Sequence, residues 1–132
     1  MSEPRENIDT AFARLADIAG FEGLVFVSPQ GAVLASKFIG DSAAPDAAER
    51  IAASLKDINS LIQALGSHGL EELFIRGRQR CLFLLKSARV GFLTVAVGRN
   101  TMNTGLARLK LKETVDELEK TLDAVLSQRR QA

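Results

Sequence analysis

The chain has 132 residues, the length of one domain with a single core, and its 46% hydrophobic and 25% charged content is that of a soluble globular protein. With 17 basic and 16 acidic residues the net charge is +1, so no cationic excess draws the chain to nucleic acid or to an anionic membrane. Trp and Tyr are absent, which leaves only Phe for stacking on bases, and a single cysteine excludes an intramolecular disulfide.

Cys81 standing alone favours a reducing compartment. The polar start, MSEPRENIDTAF, lacks the apolar core of a secretory signal. No run approaches the roughly 18 apolar residues of a membrane span. These features predict a cytoplasmic protein without membrane insertion.

In chain order, Ile8, Phe12, Leu15 and Ile18 recur at helical spacing and predict a helix over 5–19, closed by Gly20. Residues 22–28 and 32–37 read as a β-hairpin around Pro29-Gln30-Gly31, where Pro suits the first corner and Gly a positive φ. Leu24 to Val27 are apolar at consecutive positions, as in a strand covered on both faces. A loop over 38–44 leads into a helix from about Ala44 to Leu65. Pro45 sits in its first turn, Asp46 and Glu49 complement its positive end, and Gly66 stops it. Its apolar stripe is Ile51, Leu55, Ile58, Ile62 and Leu65.

Leu70 to Arg76 and Arg80 to Lys86 read as strands joined at Gly77-Arg78-Gln79, and a turn from Ser87 to Val90 leads into a strand over 91–97. A long helix runs from about Asn103, its N-cap, to Leu126, with Leu111, Val115, Leu118, Leu122 and Val125 on one stripe and a frayed Gln-Arg-Arg-Gln tail. The order α-β-β-α-β-β-β-α, with apolar strands needing cover on both sides, predicts one α+β domain over 1–132. Its core is about 5–127, in three α/β/α layers around a mostly antiparallel five-stranded sheet.

Catalytic motifs are missing: no GxxxxGK[ST] loop, no GxGxxG after a strand, no GxSxG elbow. His68 is the sole histidine, without Cys or His companions for a metal, and reads as a solvated loop residue. Cys81 opens an apolar strand and reads as a core thiol rather than a reactive one. Glu71 and Glu72 point to opposite faces of a strand, so they do not form an acid/base pair; solvation or edge protection accounts for them. No cofactor and no metal is implied. Arg76, Arg78 and Arg80 crowd one hairpin tip, either as a solvated turn or as a basic contact for an acidic protein surface.

The central helix carries a second pattern. With its stripe on the sheet, Ala47, Ser54 and Leu61 fall on one flank, with Arg50 and Asp57 just outside. Two such helices packed antiparallel about a two-fold axis near Ser54 would bring Arg50 to Asp57 of a second copy. A half-buried flank of a monomer has the same spacing, and the flank of Ala48, Ala52 and Asn59 is the alternative contact.

GFEGLVFVSPQGAVLAS (20–36), LGSHGLEELFIRG (65–77), the apolar strand at 82–85 and NTGLARLKL (103–111), in this order and spacing, resemble the Roadblock domain family. That family includes the Roadblock dynein light chains and the bacterial MglB-type polarity regulators. The resemblance implies a five-stranded antiparallel sheet of the profilin-like kind, with the central helix on one face and the terminal helices on the other. It implies a homodimer, or a heterodimer with a related Roadblock chain, through the central helix (45–65) and third strand (70–76). The expected contacts are Ala47, Arg50, Ser54, Asp57, Leu61, Leu70, Glu72 and Phe74. It further implies a non-enzymatic regulator of a small Ras-like GTPase, or a passive scaffold in a motor or signalling assembly. Arg50, Arg76, Arg78 and Arg80 are candidate partner contacts by exposure. Ser28-Pro29-Gln30-Gly31 departs from the Asp-x-x-Gly turn of many members, and the turn geometry is expected to survive the change.

Overall fold

The computed structural model describes residues 4–40, 46–66, 69–87 and 91–131, with side chains between 8 and 120 within these ranges. Pro45, His68, most of the Ser87–Val90 turn and the side chains of Leu122 and Val125 lie outside the described residues. The elements run α1 (Pro4–Leu15), β1 (Phe21–Val27), β2 (Val33–Phe38), α2 (Ala47–Ala64), β3 (Glu72–Arg76), β4 (Arg80–Lys86), β5 (Leu93–Arg99) and α3 (Thr104–Gln131).

The strands form one sheet in the order β2-β1-β5-β4-β3, and every pairing is antiparallel. The consecutive apolar run of β1 divides between two cores as pleating requires. Leu24 and Phe26 join Ile8, Leu15, Phe83 and Leu111 beneath α1 and α3. Val25 and Val27 join Ala52, Leu55, Leu84 and Val95 beneath α2. The three layers are therefore two helices, the sheet, and one helix. Arg14 fastens α1 to α3 through the Glu117 carboxylate at 2.6 Å.

Pro29 and Gly31 act through turn geometry. Gly31 has φ +88°, its N–H donates to the Ser28 carbonyl at 2.9 Å, and the Ser28 Oγ accepts the Ala32 N–H at 3.1 Å. The serine hydroxyl thus supplies a local acceptor within the turn.

Several boundaries differ from the sequence reading. α1 stops at Leu15 rather than residue 19, because tight turns follow: the Ile18 N–H donates to the Leu15 carbonyl and the Phe21 N–H to the Ile18 carbonyl. Ile18 is buried all the same. Leu65 is 74% exposed and does not extend the core stripe, since the helix ends at Ala64 and Leu65 closes its last turn. β3 begins at Glu72 and β5 at Leu93, two residues later than expected in each case. α3 continues through Gln131, so the Gln-Arg-Arg-Gln segment is helical.

Candidate partner-binding face

The two faces of the sheet are covered unequally. Strands lie about 4.8 Å apart, so five of them span roughly 19 Å, whereas one helix is about 10 Å wide. α1 and α3 together can roof one face; α2 alone cannot roof the other. Its buried positions are Ala48, Ala52 and Leu55. Ile51, Ile58 and Ile62 along one side are only half-buried, as are Leu73 on β3 and Leu82 on β4 against the same core. At the margin of this strip, Leu61 is 58% and Ile75 45% exposed. The apolar strip runs from α2 to β3, and among the described residues β3 pairs only with β4, which leaves its outer backbone groups without a strand partner there.

The expected dimer residues fall into distinct groups on this frame. Ser54, Asp57 and Leu61 are exposed on α2, and Ala47 is half-buried at its start. Arg50 is exposed and donates from Nε to its own Asp46 at 2.6 Å, an i,i+4 pair within the chain. On the alternative flank, Ala48 and Ala52 are buried against the sheet, and the Asn59 Oδ1 accepts the Leu70 N–H at 2.9 Å. Leu70, also expected as a contact, lies in the interior of the chain. It is 4% exposed, precedes the strand, and belongs to the α2-side core.

Glu72 and Phe74 point to the other face. Glu72 accepts from Arg108 Nε of α3 at 2.7 Å, and this hydrogen bond and the carboxylate charge hold the guanidinium above its ordinary range. Phe74, 42% exposed, packs at 6.3 Å from the Phe83 ring and carries the Arg76 guanidinium at 5.7 Å from its centroid.

The three hairpin arginines do not converge. Arg76 pairs in register with Cys81, so the side chains of Arg76 and Arg80 leave opposite faces of the sheet. Arg80 donates from Nε to Glu22 at 3.0 Å, and the Arg78 carbonyl accepts the Asn100 side-chain amide. Arg76 and Arg78 have no ion pair among the described residues. The Arg80–Glu22 and Arg108–Glu72 pairs join residues far apart in the chain, and nothing in local spacing announces them. Cys81 is buried, donates from Sγ to the Arg99 carbonyl at 3.3 Å, and has its thiol pushed up by burial, with Arg76 opposing. Among the described residues no group of three or more His, Cys, Asp and Glu side chains is placed to hold a metal, and no helix is long and apolar enough to cross a membrane.

A five-stranded antiparallel sheet with two helices on one face, a single helix on the other and an open edge strand defines the profilin-like α+β fold. Residues 7–96 match the family model of the Roadblock/LC7 domain, and the chain belongs to that family. MglB of Myxococcus xanthus is similar in structure, with a TM-score of 0.76 at 21% identity over 94% of this chain and 93% of that one. The gliding protein MglB of Thermus thermophilus gives 0.74 at 20% identity over 91% of each chain. A Roadblock/LC7 domain from Streptomyces avermitilis gives 0.72 at 14% identity over 92% and 98%. At these identities the likeness is one of fold. No curated protein matches the chain.

Proposed function

We propose that this protein is a dimeric binding platform that regulates a small Ras-like GTPase. The observation that carries the reading is the half-covered strip of Ile51, Ile58, Ile62, Leu73 and Ile75 running out to the unpaired β3 edge. A second copy placed there buries the apolar strip and continues the sheet through paired β3 strands. In that arrangement Ala47, Ser54 and Leu61 line the helix–helix contact, and Arg50 exchanges Asp46 for the partner's acid at little net cost, because exposed ion pairs are weak. Family membership supports the GTPase as partner.

The two α2 helices of the dimer form a continuous outer surface. Phosphoryl transfer in such GTPases depends on positioning and on the order of mobile switch loops. A rigid surface that binds those loops in one arrangement changes hydrolysis or exchange without supplying a nucleophile or base. The nucleotide and its metal belong to the GTPase, so the platform requires no cofactor of its own.

The test is affinity capture from native lysate, run once with GDP and once with a non-hydrolysable GTP analogue. A small GTPase enriched with the analogue, whose hydrolysis or exchange rate changes on adding the purified protein, supports the reading. Identical partners in both samples with no GTPase among them overturn it in favour of a passive scaffold.

A further inference from the structure

The other flank of α2 borders a cavity of ≈ 470 Å³ at the end of the sheet where β1 finishes and β5 begins. It lies across the helix from Ile51, Ile58 and Ile62, so the proposed dimer face leaves it open. Its floor is apolar, formed by the buried side chains of Val27, Leu55 and Leu70.

Among the described residues its charged rim is cationic. Lys56 leans over the β1–β2 turn: its Cδ is 4.0 Å from the point a Cβ at Gly31 would occupy. On the opposite side, the corresponding point at Gly69 lies 3.9 Å from Lys86 Nζ and 3.1 Å from Asn59 Oδ1. Glu71 follows Leu70, and its backbone carbonyl accepts the Lys86 N–H, yet its carboxylate makes no ion pair with Lys86. Neither lysine has an ion pair among the described residues. The Asn59 oxygen is engaged by the Leu70 N–H, which leaves its amide hydrogens as donors toward the same space.

We propose that this cavity binds a small organic anion. Its apolar body lies on Val27, Leu55 and Leu70, and its carboxylate or phosphate oxygens accept from Lys56, Lys86 and the Asn59 amide. The volume falls within the roughly 300–1,000 Å³ of small-molecule sites. An apolar floor with a few placed donors is the usual design of such sites, and charge-assisted hydrogen bonds supply the selectivity. The site is independent of the GTPase reading and of dimerisation.

The test is a ¹H–¹⁵N NMR titration of the full chain with phenyl phosphate, benzoate, inorganic phosphate and benzyl alcohol. Saturable shifts centred on Leu55 to Gln63, Leu70 and Lys86 with phenyl phosphate or benzoate are expected, and the stronger of the two identifies the acid group. The double variant Lys56→Gln/Lys86→Gln is expected to weaken binding by about tenfold or more, since charge-assisted bonds are lost, while its circular dichroism and light-scattering mass stay unchanged. No saturable shift from either acid overturns the proposal. So does an equal response to benzyl alcohol or to inorganic phosphate, or binding that the double variant leaves intact.

Discussion

Asn59, in the second half of α2, accepts the backbone N–H of Leu70 through Oδ1 at 2.9 Å. This one bond ties the helix to the chain entering β3, and it satisfies a donor that the buried Leu70 would otherwise leave stranded. Asn59→Ala is expected to cost about 1–3 kcal/mol, the penalty of an orphaned buried donor. Asn59→Asp keeps the acceptor and is expected to lose less. Urea unfolding of both variants checks this; an alanine variant as stable as the parent would show the bond contributes nothing.

Gly98 in β5 has no room for a side chain. A Cβ there would stand 2.7 Å from the Gly20 carbonyl oxygen and 2.6 Å from Met102 Sδ. Gly98→Ala is expected to destabilise by about 1–3 kcal/mol through overpacking. Gly105, in the first turn of α3, meets nothing closer than 3.6 Å, and Gly105→Ala is expected to stabilise by up to about 1 kcal/mol. Thermal unfolding of the pair should move Tm in opposite directions.

The buried Cys81 thiol is pushed up in the folded state. An unfolded thiol titrates at about 8.5. Below that value both states hold the proton and stability is at its full level. Above it the unfolded chain releases its proton first, so stability falls as pH rises toward the folded value. Denaturation midpoints measured across this alkaline range should decline more steeply for the parent than for Cys81→Ala. A thiol reagent should react slowly with native protein and quickly in denaturant.

The α2–β3 strip separates interface from core by mutation. Ser54→Arg, Leu61→Glu and Ile75→Asp place bulk or charge where a second copy would bury it, and each is expected to weaken dimerisation by tenfold or more, about 1.4 kcal/mol or above. Leu84→Ala, at a fully buried position, is expected to cost about 2–5 kcal/mol of fold stability instead. Light scattering over a concentration series, paired with circular dichroism, distinguishes the two effects. A parent chain that stays monomeric at micromolar concentration would remove the dimer from the proposal.

Much of this fold was legible because periodicity is a local property. Leu24 to Val27 announced a strand buried on both faces, and Leu55 between Ile51 and Ile58 announced the inward side of α2. Leu65 and Leu70 misled for one shared reason: apolar character does not say whether a residue is inside an element or beside it. Leu65 caps a finished helix in solvent, and Leu70 is buried ahead of its strand. Ile18 kept its burial while the backbone beneath it changed from helix to turn. The site was harder. Exposure at Ser54 and Leu61 followed from helical angle, but the engagement of Arg80 by Glu22 and of Glu72 by Arg108 arises only when distant strands and helices meet.

The strand order also dictates how the molecule must assemble. β1–β2 and β3–β4–β5 each join neighbours in the chain, and only the β1–β5 pairing, with Val25 opposite Val95, stitches the two pieces together. Until β5 is made, the first hairpin emerging from a ribosome carries one naked inner edge and half a core. A long-range closure of this kind is expected to slow folding relative to a sheet built from local pairings alone. During that interval β1, a run of seven residues almost wholly buried in the finished domain, is the segment most exposed to mispairing.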